Sequence, residues 1–163
     1  GQVAAYANSI GLTVLYEPQG FYVNGLDGFS VFYEAMKARG YRVGVCGDTG
    51  NSLYVGCDPA AFFERYAAEI LHVHLKDLHI ENEVLNRTST TASRRWDVIR
   101  DGSYITDTLL GEGMVDLDAC LRALDRVGYA GAYSLETFYW NTLSVSLREN
   151  LLRDREYLLR KGE

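Results

Sequence analysis

Four side chains capable of metal ligation or proton transfer stand at the ends of short apolar runs. They are Glu17 after Leu12 to Tyr16, Asp48 after Tyr41 to Cys46, His74 near the end of Ile70 to Leu75, and Glu136 after Tyr133 to Leu135. If these runs are parallel strands of an α/β sheet, their carboxyl ends converge on one place, where ligands bind in such architectures. Three carboxylates at close quarters repel strongly, and the usual remedy is one divalent cation, which three acids and a neutral imidazole bind well. Oxygen-rich ligation with a single nitrogen favours Mn2+, with Mg2+ and Co2+ as alternatives, over the sulfur- or histidine-rich sites of structural zinc. Each residue also has a plainer reading. An acid at a strand end is often the N-cap of the next helix, and a lone histidine is more often a hydrogen-bonded core residue than a ligand. His72, deeper in its strand, keeps that plainer reading.

The runs that position these residues alternate with helical patterns. Gln2 to Ser9 has helical composition, with Gly11 where a C′ glycine is expected. Pro18 ends the first strand, because proline cannot donate to a ladder. Phe29, Phe32, Tyr33 and Met36 recur at helical spacing before Gly40. Asp58 and Pro59 form an N-cap and first-turn pair, followed by the stripe Phe62, Phe63, Tyr66, Ala67 and Ile70. From Leu78 to Met114 the sequence turns polar and rich in Ser and Thr, anchored by Leu85, Trp96, Val98, Ile99 and Ile105. A long loop is expected there, and connections of such length are usually functional or disordered. Asp116 then opens an amphipathic helix through Leu117, Cys120, Leu121, Leu124 and Val127, and a last helix covers about Leu147 to Arg160. Regular alternation of strand and helix predicts an α/β fold of parallel strands joined by right-handed crossovers. A weak internal echo supports repeated units, since Gly40-Tyr41 precedes Asp48 by the interval at which Gly128-Tyr129 precedes Glu136.

Composition narrows the function classes. The 163 residues are 47% hydrophobic and 23% charged with a formal charge of −6, enough for one domain with a real core. No run approaches the roughly 18 apolar residues of a membrane span. No basic cluster exceeds a pair such as Arg94-Arg95, too small a footprint for nucleic acid. The three cysteines, Cys46, Cys57 and Cys120, are odd in number and form no CxxC pair, so a disulfide framework is not indicated and a reducing cytoplasm is expected.

The ordered set Tyr16-Glu17-Pro18, Cys46-Gly47-Asp48-Thr49-Gly50-Asn51, His72-Val73-His74-Leu75-Lys76-Asp77, Gly111-Glu112-Gly113-Met114-Val115-Asp116 and Ser134-Leu135-Glu136 resembles the xylose isomerase-like TIM-barrel superfamily. Within it the chain is most similar to sugar phosphate isomerases and epimerases, the group that includes D-tagatose 3-epimerase and inosose dehydratase. The resemblance implies that Glu17, Asp48, His74 and Glu136 hold one divalent metal and that Glu17 and Glu136 are also the acid/base pair. It implies a small carbohydrate substrate, a ketose or keto-polyol, isomerised or epimerised through an enediolate. The alternative on the same site is a lyase that dehydrates a keto-sugar, keto-inositol or 3-keto-glycoside. Asn51, Lys76, Asp77, Glu112 and Trp96 are the candidate substrate contacts, and Arg87, Arg94 and Arg95 could join Trp96 in a lid. Two positions depart from the ketose epimerases: Asn51 stands where they commonly have histidine, and Ile80 where they have arginine.

A complete barrel of this type needs about 250 residues, and four strand-helix units are visible here. The expectation is therefore a carboxyl-terminal half-barrel over residues 1–163, with an insertion at about 78–114. Its closure would come from a missing amino-terminal half or from a second copy of the chain.

Overall fold

The computed structural model describes residues 1–82, 96–136 and 146–161. Strand β1 (Val14–Tyr16) follows helix α1 (Gln2–Ser9), and β2 (Val43–Asp48) follows α3 (Leu26–Ala38). A short helix, α2 (Gly20–Val23), lies between β1 and α3. Helix α4 (Pro59–Tyr66) and a single 3-10 turn lead into β3 (Ile70–Leu75). Further along, α5 (Leu117–Asp125) precedes β7 (Ala132–Leu135), and α6 (Leu147–Lys161) ends the described chain. The strands β1, β2, β3 and β7 form one sheet in that order, every neighbouring pair parallel. This is the expected TIM-barrel type of architecture, with four parallel strands among the described residues.

Helix starts follow the sequence chemistry. The Asp58 carboxylate accepts the Ala60 N–H with Pro59 in the first turn, and the Asp116 carboxylate accepts the Ala119 N–H. The aromatic stripes bury one face of each helix. Phe29 and Tyr33 of α3 interlock with Phe62 and Tyr66 of α4, all at most 1% exposed, mostly in edge-to-face contacts. Ile70 belongs to β3 rather than to the end of α4, because the 3-10 turn Ala67–Glu69 tightens the chain before it. Cys46 and Cys120 are buried and unbonded, packed as core thiols.

The stretch expected as a long loop differs most. It carries β4 (Asp77–Glu81), β5 (Asp97–Val98) and β6 (Tyr104–Thr108), an antiparallel sheet ordered β4-β6-β5. Leu78, Ile99 and Ile105 form a small core of their own beneath it. Strands this short, with polar Thr106 and Thr108 facing inward, leave no hydrophobic alternation to detect. Arg87, Arg94 and Arg95 lie outside the described residues.

Asp77 ties this small sheet to the main body. Its buried carboxylate accepts N–H groups from Leu78, Gly111, Gly113 and Val115, at 2.8 to 3.1 Å. The turn wraps so closely that a Cβ at Gly113 would collide with the Asp77 carboxylate and the Leu78 carbonyl. In the full-length protein, Asp77→Ala leaves four inward N–H groups without this partner. It should lower stability by about 3 kcal/mol, read as a shifted midpoint in urea denaturation.

Candidate metal centre

The parallel register brings the strand ends together. Asp48 pairs directly with His74 across β2 and β3, and His74 with Ser134 across β3 and β7. Glu17 follows β1 at one edge of the sheet and Glu136 follows β7 at the other, so the two glutamates flank Asp48 and His74. One ligand atom from each of the four lies within 4.8 Å of the others. His74 Nδ1 is 2.6 Å from Glu136 Oε2 and 3.5 Å from Glu17 Oε1.

Three of these atoms, Asp48 Oδ2, His74 Nδ1 and Glu136 Oε2, are buried without hydrogen-bond geometry to a partner, Asp48 Oδ2 having only the ion pair with Lys76. The short His74–Glu136 approach therefore brings two atoms together without hydrogen-bond geometry. Buried polar atoms are almost always satisfied. Separations of this size are those of neighbouring ligands on one ion held at about 2.0 to 2.2 Å. The donor set and its unsatisfied atoms fit a divalent cation. Cys46 also lies near Glu17 and His74, but burial first, and then the fields of Glu17, Asp48 and Glu136, push its thiol up to about 12. The oxygen-rich set is the better ligand group.

Three of the four candidate ligands, Asp48, Glu17 and Glu136, have a defined hydrogen-bonded support. Asp48 is fully buried, and its Oδ1 accepts the backbone N–H groups of Gly50 and Asn51 at 2.9 and 2.6 Å. Burial nevertheless pushes its carboxyl up to about 6, against the opposing pull of Lys76 and these two N–H groups. Glu17 Oε1 accepts from Asn51 Nδ2 at 2.8 Å. Lys76 Nζ donates to Glu136 Oε1 at 3.0 Å and to Asn51 Oδ1 at 3.2 Å, and lies 3.1 Å from Asp48 Oδ2. Burial alone would lower the Lys76 pKa, but Asp48 and Glu136 outweigh it and raise it, so the ammonium stays charged. His72 is half-buried and bonds Ser134 Oγ through Nε2 at 2.9 Å, a hydrogen-bonded place outside the ligand cluster.

Beside the cluster opens a cavity of about 260 Å³ lined by Gln19, Gly20, Asn24, Asn51, Tyr54, Lys76 and Glu136. Of the candidate substrate contacts, Asn51 and Lys76 line this cavity next to the candidate ligands. Three other candidates do not line this cavity. Asp77 spends its carboxylate on backbone N–H groups, Glu112 is exposed and pairs with Arg153 of α6, and Trp96 stands edge-on to His79, ring centres 6.5 Å apart. Gln19, Asn24, Tyr54 and the buried Thr49, which bridges β2 to the Lys76 backbone, escaped notice. Their one signal is proximity to Glu17-Pro18 and Asp48, since amides and hydroxyls carry no pattern of their own. Ile80 packs against the small core beneath β4, so no guanidinium enters from that position.

The xylose isomerase-like TIM-barrel profile matches residues 1–161. The chain belongs to this family. Among curated relatives, it is 35% identical over 96 residues to the rhizopine catabolism protein MocC of Rhizobium meliloti, covering 59% of this chain and 28% of that protein. It is 36% identical over 84 residues to the inosose dehydratase of Clostridium beijerinckii, covering 52% of this chain and 26% of that enzyme. The aligned segments thus span little more than a quarter of these two relatives. The fold matches the IolI protein with a bound zinc atom at a TM-score of 0.67 and 18% identity, over 98% of this chain and 52% of that one. A family protein from Mycobacterium smegmatis in complex with magnesium gives 0.66 at 19% identity, over 98% and 46%. L-ribulose 3-epimerase gives 0.61 at 18%, over 96% and 49%.

If the cluster binds a cation, Mn2+ should raise the melting temperature of the full-length protein by several degrees at about 100 times its Kd. Changing Asp48 or His74 to Ala should abolish the shift. Because Asp48 takes up a proton near pH 6 and a ligand must be deprotonated, Mn2+ affinity should fall by up to about tenfold per pH unit below that value, measured by isothermal titration.

Proposed function

We propose that the intact protein is a divalent-metal-dependent enzyme that removes the proton next to a ketone on a small polyol, with dehydration as the outcome. The observation that carries this reading is the convergence of ligand atoms from four strand ends, three of them buried without hydrogen-bond geometry to a partner, beside a cavity that Asn24, Asn51 and Lys76 help to line. Held by Glu17, Asp48, His74 and Glu136, the cation would supply Lewis-acid polarisation of the substrate oxygens. The donor set favours Mn2+, while structural neighbours carry zinc or magnesium.

Glu17 and Glu136 come from opposite edges of the sheet and approach the centre from two sides. One accepts the carbon-bound proton and the other delivers a proton. Delivery to a departing hydroxyl gives loss of water, and delivery to the same carbon gives epimerisation or isomerisation. Dehydration comes first because the relatives at 36% and 30% identity are inosose dehydratases, and because Asn51 and Ile80 replace side chains usual in ketose epimerases. Epimerisation of a ketose is the second reading, favoured by the likeness to L-ribulose 3-epimerase.

Closure of the barrel belongs to the same proposal. Val3 and Tyr6 of α1, Ile10 just after it, and Leu147, Leu151 and Leu152 of α6 are exposed apolar side chains suited to further strand-helix units or a second copy. Unpaired cysteines agree with a cytoplasmic setting, and among the described residues no helix is long and apolar enough to cross a membrane.

The test is turnover of keto-cyclitols and ketoses by the full-length, Mn2+-loaded protein in heavy water. The expected product has lost one water; deuterium at an inverted carbon with every hydroxyl retained would promote the epimerase reading. Glu17→Gln and Glu136→Gln should each lower kcat by about a hundredfold or more with KM changed far less. Metal content is measured in each variant, because both residues are also ligands.

A further inference from the structure

We propose that Lys76 is a built-in monovalent cation that sets the charge of the ligand set, so that the centre accepts a divalent ion reversibly and discriminates against a trivalent one. The inference rests on the metal-binding reading above and adds a specificity role for a residue outside the ligand set.

Lys76 is the single residue between β3 and β4, and both ends of it are fixed. Its backbone N–H donates to Thr49 Oγ1 at 2.9 Å, and the Thr49 hydroxyl donates to its carbonyl at 2.7 Å. Its stem crosses Gly50 so closely that a Cβ there would come within 2.6 Å of Lys76 Cγ. The ammonium is only 5% exposed and stands 3.1 Å from Asp48 Oδ2 and 3.0 Å from Glu136 Oε1. This is a fixed charge inside the centre, unlike the mobile end of a surface lysine.

The charge count is direct. Glu17, Asp48 and Glu136 together bring three negative charges, and the ammonium reduces the sum to two, so one divalent ion makes the centre neutral. Without Lys76, the same three carboxylates would match a trivalent ion and hold a divalent one more tightly. Lys76 also has a second effect of opposite sign. By donating to Glu136 Oε1 it leaves Oε2 as the unsatisfied atom facing His74 Nδ1, and losing such an orienting contact weakens metal binding. Repulsion between an ammonium and a divalent ion a few ångströms apart in a buried place is the larger of the two effects. Removing the charge should therefore tighten binding.

The experiment uses the full-length protein with Lys76→Met, Lys76→Gln and Lys76→Arg. Mn2+ affinity is measured by isothermal titration, and Tb3+ binding by luminescence sensitised through Tyr54 in the cavity wall. The Met and Gln variants should bind Mn2+ at least about tenfold more tightly and acquire Tb3+ binding. The Arg variant, which keeps the charge, should stay within about threefold of the parent and remain poor at binding Tb3+. Gln retains a donor for Glu136 without the charge, so it separates charge from orientation and carries the test if the Met variant fails to fold. Unchanged or weaker Mn2+ binding in the uncharged variants would overturn the proposal. Failure of the parent itself to bind Mn2+ would overturn the metal reading on which it rests.

Discussion

Three carboxylates brought within touching distance at a half-buried sheet edge repel one another, and the arrangement around them answers that repulsion. Asp48 has no access to water, and its Oδ1 relies on two backbone N–H groups. Asn51 places its amide nitrogen on Glu17 and its amide oxygen under Lys76, while Lys76 reaches Glu136. This polar chain runs from one edge strand of the sheet to the other. The atoms it leaves unsatisfied all face the ligand cluster.

The backbone makes that chain possible. Parallel pairing places Asp48 opposite His74, and the Thr49 hydroxyl then joins β2 to the residue following β3. A shift of one residue in the β2–β3 register would move every alternate side chain to the other face and scatter the ligands. The aromatic interlock of α3 with α4 shares one core with Val45 of β2 and Ile70 and Val73 of β3, so the paired strands that carry Asp48 and His74 are packed against it.

Much of this was legible in the sequence because strand ends announce themselves. Glu17-Pro18, Asp48-Thr49-Gly50 and Glu136 each end an apolar run, and the Asp58 and Asp116 caps mark helix starts that the structure reproduces. The antiparallel sheet between Asp77 and Thr108 was not legible, because its strands are short and bury threonines as well as Leu78 and Ile105. Asp77 shows a different limit. Beside His74 and Lys76 a carboxylate reads as part of the chemistry, and only the three-dimensional path of residues 111–115 shows it filled by backbone N–H groups. Thr49 and Asn24 show a third, since their importance lies in contacts with residues 27 positions away.

The Asp77 clasp makes a neck out of the point where the chain leaves the parallel sheet. One residue before it stands Lys76; beyond it lies the separate β4-β6-β5 sheet. The neck is fastened from both directions of the chain, by Leu78 on the way out and by Gly111, Gly113 and Val115 on the way back. Such a junction makes a fixed point of the chain: four N–H groups from two separate stretches close on one carboxylate, one residue away from the buried ammonium.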